Sequence, residues 1–360
     1  MSSSVRPIRR LARLLGSFCC VVAARASVSP ATGSGTETLR VAVVAPADNS
    51  HLAWVAAAHL QQAARDHGID IAIEAASLTG TADPLPELLV MPVRSLATQV
   101  RAYQVLELPF FYPGLEAVHE RLDGALGKYL ADDARRHGWE VLAYWDEGMH
   151  IISGLKRYDR ARNLKAREFL ITRPDPVAEK QYQYWKASAR RIDPEDRQAV
   201  LSECLIAGRA ATLQQIVREQ LYRVHLAMSL TNHRYEGWVL VAPAEHWANL
   251  DPATKEKLAS VVRETTIWQR NDAQQREAAA LAELKKAGMA IYEVDADERE
   301  AFRRVLPNYA ELLTDELDAQ QKRELIELAS TGAAAVVGFG AAAPEARRDP
   351  APGAEARQGH

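Results

Sequence analysis

Apolar and polar residues follow two rhythms along this chain. Short runs rich in Val, Ile and Leu read as buried strands, and longer stretches with apolar residues three or four apart read as helices. Residues 39–45 form the first apolar run, and Asn49 or Ser50 can cap the helix that follows to about His67. Three helical stretches end in a glycine that opens a strand: Gly68 before residues 69–75, Gly138 before 139–145 and Gly288 before 289–294. Glycine is favoured just past a helix because it adopts the left-handed backbone without a Cβ penalty. Asp193-Pro194 and Asp251-Pro252 each place a cap and a first-turn proline ahead of a helical pattern. The second pattern runs from 252 to about 287 with a polar middle at 269–276, which suits a rod bracing two lobes. Strand and helix alternate, so the expected architecture is α/β, without an internal repeat.

Both ends break the pattern. Arg6, Arg9 and Arg10 make a basic start, and residues 11–24 are mostly apolar but too short to span a bilayer comfortably. Ala24-Arg25-Ala26 is the small-x-small pattern of a leader cleavage site. A disordered basic tail or an uncleaved anchor shares parts of this composition. Cys19 and Cys20 lack the small preceding residue that a lipid-anchor site needs. The expectation is an exported, periplasmic chain: leader 1–26, linker 27–37, folded part 38–330, and an Ala/Gly/Pro/Arg-rich low-complexity tail over 331–360. With the leader removed only Cys204 remains, so no intramolecular disulfide can form; its apolar helical setting predicts a core position.

Composition narrows the function classes. With 360 residues, a net charge of −3 and 48% hydrophobic residues, the chain has room for two lobes and no charge excess to attract nucleic acid or an anionic membrane. Enzyme and metal motifs fail. His119-Glu120 lacks the second histidine of a zinc helix, and neither a glycine-rich phosphate loop nor a G-x-S-x-G elbow occurs. His59, His67, His225 and His246 are scattered singly, and Asp132-Asp133 sit among Lys128, Arg135 and Arg136 as a solvated face. No catalysis, cofactor or metal is expected.

Six segments, in order, carry a resemblance. They are Val105-Leu106-Glu107-Leu108-Pro109-Phe110-Phe111-Tyr112 ("lPFlf"), Leu122-Asp123-Gly124-Ala125-Leu126-Gly127 ("ldg.lG"), and Val141-Leu142-Ala143-Tyr144-Trp145-Asp146-Glu147-Gly148 ("vLgywd.G"). The others are Asn163-Leu164-Lys165-Ala166 ("DLKG"), Leu230-Thr231-Asn232-His233-Arg234-Tyr235 ("ltnH.y") and His246-Trp247-Ala248-Asn249-Leu250 ("fw..L"). The chain resembles the DctP-type solute receptors of tripartite ATP-independent periplasmic (TRAP) transporters from about residue 39 to 313. The resemblance implies a two-lobed α/β periplasmic binding protein fold with crossing strands, a long lobe-spanning helix, and a cleft that closes on a small organic acid and delivers it to a membrane permease. The lobes are expected at 38–146 with 235–267, and at 147–234 with 268–330, with residues 39–45 and 291–294 unpaired to each other.

The departures shape the candidate site. Where the family carries an arginine after "ywd.G", this chain has His150. Where a second follows "LKGLKI", it has Leu170 or Ile171, with Arg173 two or three positions on. Gln215 stands where an asparagine usually contacts the ligand. Arg173 is thus a substitute carboxylate anchor if a bulge turns it inward, or else a surface arginine, because an odd shift along a strand changes face. His150 is a ligand contact or a hydrogen-bonded surface histidine, and Gln215 a ligand contact or a polar residue at a helix start. Arg94 and Asn49 follow first-lobe strands where such folds place cleft loops; His51 and Trp54 share the Asn49 loop, Trp54 being core or cleft. Tyr235 and Trp238 flank a crossing strand. Fewer donors at the mouth imply weak binding of a dicarboxylate.

Overall fold

The computed structural model of the chain describes residues 38–48, 50–77, 85–171, 174–192 and 206–331. Asn49, Arg173, Asp193 and Cys204 lie outside the described residues, as do 1–37 and 332–360. The chain begins with β1 (Leu39–Val43), α1 (Leu52–Asp66), β2 (Ile71–Ala75), β3 (Leu88–Pro92) and α2 (Val93–Ala97). All five residues of β3 are buried, as befits a strand covered on both faces. The α1 cap is His51, whose Nδ1 accepts from the Ala53 N–H at 3.3 Å. Ser50 does not cap it, because its N–H and hydroxyl both bond back to Asp48 in a local turn.

Two amphipathic helices, α3 (Leu115–Leu122) and α4 (Ala125–Arg136), lead into β4 (Trp139–Gly154), a strand much longer than the apolar run at 139–145. Then come β5 (Glu168–Ile171), α5 (Pro176–Tyr184), β6 (Ser188–Arg191), β7 (Gly208–Ala211), α6 (Leu213–Arg218) and a second long strand, β8 (Ala227–Pro243). The remainder is α7 (Ala244–Asn249), α8 (Pro252–Lys286), β9 (Ala290–Glu293), α9 (Ala296–Arg304), α10 (Tyr309–Leu312) and α11 (Ala319–Ser330). Gly68, Gly138 and Gly288 have φ of 71°, 85° and 89°, the left-handed turns expected of them. Asp251 accepts from the Thr254 N–H at 3.0 Å and Pro252 opens α8, also as expected.

The described strands form one sheet in the order β2-β1-β3-β8-β4-β7-β5-β6, with β9 also on β8. β3 pairs with the C-terminal part of β8, Leu89 opposite Val241, whereas β9 pairs with its N-terminal part, Ala227 opposite Ala290. β1 and β9 therefore belong to the same sheet without touching each other. β4 and β8 run antiparallel through both half-sheets, and they are the chain crossings. Each half carries its own apolar layers. Leu258, Val261 and Val262 of α8 pack with α1 on the first half, and Ala280 and Leu284 of the same helix pack with Ile216 of α6 on the second.

The polar middle of α8 has a structural reason. Gln269 is buried, its Oε1 accepts from the Asp146 N–H at 2.9 Å, and its Nε2 donates to the Asp146 carbonyl at 2.8 Å. β7 pairs with β4 only from Ile151 to Gly154, and at Asp146, beside the slip in the β4–β8 pairing, the Gln269 amide bonds the strand's backbone instead. Gln269→Ala is expected to lower stability by about 2 kcal/mol, the cost of leaving buried backbone groups unmet. Urea unfolding that shows a reduced midpoint at unchanged slope is the expected result.

Candidate functional site

The site is built by strand geometry. Along β8, side chains alternate between faces, so Arg234, Glu236 and Trp238 share one face and Tyr235 takes the other. Opposite Arg234 in β4 stands His150. At the register slip Glu147 is the extra residue, and Gly148, at φ 130°, turns the chain back into line. From the second half-sheet come Arg209 on β7 and Gln215 and Arg218 on α6; from the first come Arg94 on α2 and His51 at the start of α1. Asp175 caps α5 by accepting from the Ala178 N–H at 2.9 Å. Apart from Tyr235, Glu147 and Gly148, these groups line a cleft of about 370 Å³.

Its centre is a charge network. Glu236 Oε2 accepts from Gln215 Nε2 at 2.8 Å and from His150 Nε2, and Glu236 Oε1 accepts from Arg94 Nη2 at 3.4 Å. Arg94 also donates to Glu107 at 3.1 Å and lies 3.8 Å from Asp175. Arg234 pairs with Asp175 at 2.7 Å. Arg218 donates to Glu147 at 3.0 Å, and Trp238 Nε1 donates to the other oxygen of Glu147 at 2.9 Å. Arg209 pairs with Glu219. Each described arginine of the cleft thus faces a carboxylate, as buried charge requires.

Burial and neighbours set the protonation states. Burial would raise the Glu236 carboxyl, but the His150 hydrogen bond and the Arg94 and Arg234 guanidiniums hold it well below the carboxylate range. Burial lowers the His150 imidazole to about 4, against the pull of Glu236 and helped by Arg234. The hydrogen bonds agree. Arg234 Nη2 lies 3.3 Å from His150 Nδ1 and can only donate, so Nδ1 is the acceptor and the ring proton sits on Nε2, facing Glu236. Burial raises the Glu147 carboxyl to about 7 despite Arg218, with Glu236 adding to the rise.

Of the residues singled out in the sequence, Arg94, His150, Gln215 and Trp238 meet in the cleft. Gln215 is the polar residue at a helix start: its Oε1 accepts from the Thr212 N–H at 3.2 Å in a capping box, and its Nε2 donates to Glu236 in the cleft. Tyr235 does not line the cleft. Its hydroxyl donates to the Trp145 carbonyl and to Asp146 on the opposite face, lying where a Cβ at Gly237 would come within 2.1 Å of it. Residues three apart on a strand face opposite ways, so Tyr235 and Trp238 could not both line the site. Trp54 packs against the apolar core and donates to the Ala45 carbonyl, whereas His51 lines the cleft edge-on to Trp238 at 4.9 Å. Asn49 and Arg173 lie outside the described residues. The sequence reading missed Glu236, Arg234, Asp175, Arg209, Arg218 and Glu147. Period two starting from Trp238 points to Glu236 and Arg234; nothing local marks the others.

Crossing strands, a shared long helix and a polar cleft at the crossing define a solute-binding protein. Residues 86–315, more than half of the chain, match DctP, the bacterial extracellular solute-binding proteins of family 7, and the chain belongs to that family. These are binding proteins and not enzymes, in keeping with the failed enzyme motifs. The chain is 27% identical over 227 residues to the C4-dicarboxylate-binding protein DctB of Bacillus subtilis, a match covering 62% of this chain and 64% of that one, under two thirds of the relative's length. A crystal structure of a TRAP periplasmic solute-binding protein from Ochrobactrum anthropi, with its C-terminus bound in the ligand pocket, superposes with a TM-score of 0.73 at 21% identity, covering 81% of this chain and 94% of that one. One from Pseudomonas aeruginosa with bound L-malate gives 0.67 at 20% identity, covering 76% and 99%. The fold is therefore the two-lobed α/β fold of these receptors, with α8 spanning the lobes. None of the described helices is long and apolar enough to cross a membrane.

The network makes a spectroscopic prediction. Nitrogen-15 NMR at pH 6 is expected to show His150 as the neutral Nε2–H tautomer, charging only near pH 4. Between about pH 4 and 6.5 the unfolded chain binds the extra proton, so this residue's contribution to stability rises with pH across that window. Loss of the pH-6 neutral signal would contradict the arrangement.

Proposed function

We propose that this chain is the extracytoplasmic receptor of a TRAP-type secondary transporter, exported to the periplasm and cut after Ala26. It captures a small organic-acid-like solute between lobes at 38–146 with 235–267 and 147–234 with 268–330, and hands it to the membrane permease. The observation that carries the reading is the cleft itself. It lies where β4 and β8 cross, and its lining comes from both half-sheets, Arg94 from one and Arg209, Gln215 and Arg218 from the other. Closing such a cleft excludes water and strengthens every polar contact inside. Arg234 Nε is buried without a hydrogen-bond partner, a donor that a solute acceptor would satisfy. The Bacillus subtilis relative, named for C4-dicarboxylates, and the malate-bound Pseudomonas aeruginosa structure support a small polar solute of this class.

One observation favours a second reading. His150 is neutral, and the cleft arginines already have carboxylate partners, so the chain is also consistent with a receptor turned sensor or interaction partner without high-affinity carboxylate binding. A thermal-shift screen of acids, sugars and amines on the mature protein separates the two. A solute at a hundred times its dissociation constant is expected to stabilise the fold by about 2.7 kcal/mol. Succinate, malate and pyruvate are expected to bind more weakly than micromolar by calorimetry. If no member of the panel stabilises the protein, the sensor reading stands instead.

A further inference from the structure

Donors from three separate segments converge on one point of the cleft. His150 comes from β4, Gln215 from α6 and Arg94 from α2, and all three point at the carboxylate of Glu236. Such a cradle of donors is what a protein builds for an anion. Here the anion belongs to the protein. Both oxygens of Glu236 are engaged, and its side chain is only 17% exposed although it lines the cleft. The surroundings leave no spare positive charge: among the described residues lining the cleft are four arginines and four acidic residues.

We propose that Glu236 is the specificity-determining residue of the cleft, a resident carboxylate that occupies the anion seat formed by His150, Gln215 and Arg94. The part of the solute that meets this seat is then a hydrogen-bond donor, a hydroxyl or an ammonium group, and not a carboxylate. A carboxylate there would find its donors taken and a like charge in front of it. This deepens the receptor reading and rests on it in taking the cleft as the solute site.

Emptying the seat tests the idea. In Glu236→Ala the three donors lose their partner and a small cavity opens beside them. Acetate, propionate and succinate are expected to raise the melting temperature of Glu236→Ala saturably, with affinities at least about tenfold above wild type, equivalent to about 1.4 kcal/mol. Glu236→Gln keeps the volume and removes the charge, and it is expected to gain succinate affinity by a smaller factor; if circular dichroism shows Glu236→Ala unfolded, this variant decides alone. Succinate affinity equal in wild type and in the folded variants overturns the proposal. The two readings fail separately. Acetate binding gained by Glu236→Ala upholds the seat even if no solute is found for wild type. A dicarboxylate bound by wild type with affinity unchanged in the variants upholds the receptor and overturns the seat.

Discussion

Everything in the cleft depends on how two long strands change register while crossing from one half-sheet to the other. The β4–β8 ladder slips between Asp146 and Gly148, and β7 covers the other edge of β4 only from Ile151 to Gly154. Gln269, from the middle of α8, takes both the N–H and the carbonyl of Asp146. The bulge then sends neighbouring side chains to different surroundings. Asp146 meets His119 at 2.7 Å and the Tyr235 hydroxyl at 3.2 Å, while Glu147 meets Arg218 and Trp238 beside the cleft. One backbone irregularity thereby sends two adjacent carboxylates to different surroundings.

The chemistry of the cleft follows from burial. A charge removed from water needs a partner, and here the partners come from the protein. Arg94 is shared among Glu107, Asp175 and Glu236, and Arg234 lies between Asp175 and His150. Two like unit charges about 4 Å apart repel by roughly 4 kcal/mol at an effective dielectric constant near 20. That is close to three decades of affinity at about 1.4 kcal/mol per tenfold. An incoming carboxylate beside Glu236 would meet this repulsion while His150, Gln215 and Arg94 are already engaged. A hydroxyl or ammonium group would add donors where acceptor oxygens stand.

Much of the fold was legible because its signals are local. Gly68, Gly138 and Gly288 mark left-handed turns, and Asp251-Pro252 marks the start of α8, since caps and turns depend on a few adjacent residues. The polar middle of α8 was readable as a pattern, but its purpose lay in Gln269 reaching Asp146, far away in sequence. The site was legible only in part for the same reason. His150, Gln215, Arg94 and Trp238 were identified, yet the group that joins the first three, Glu236, is marked in the sequence only by its period-two spacing from Trp238. Its meaning comes from donors on three other segments. Strand parity turns Tyr235 away from the cleft and onto Asp146. Asp175 caps α5, and its pairing with Arg234 exists only in the fold.

The proposed anion seat is filled from within the protein, by Glu236. A high-resolution crystal structure of the protein grown in saturating succinate is the decisive measurement. The Glu236 carboxylate is expected on His150, Gln215 and Arg94, with no succinate oxygen in contact with those three donors. Succinate bound to His150 and Gln215, with the Glu236 side chain turned out of the cleft, would contradict it.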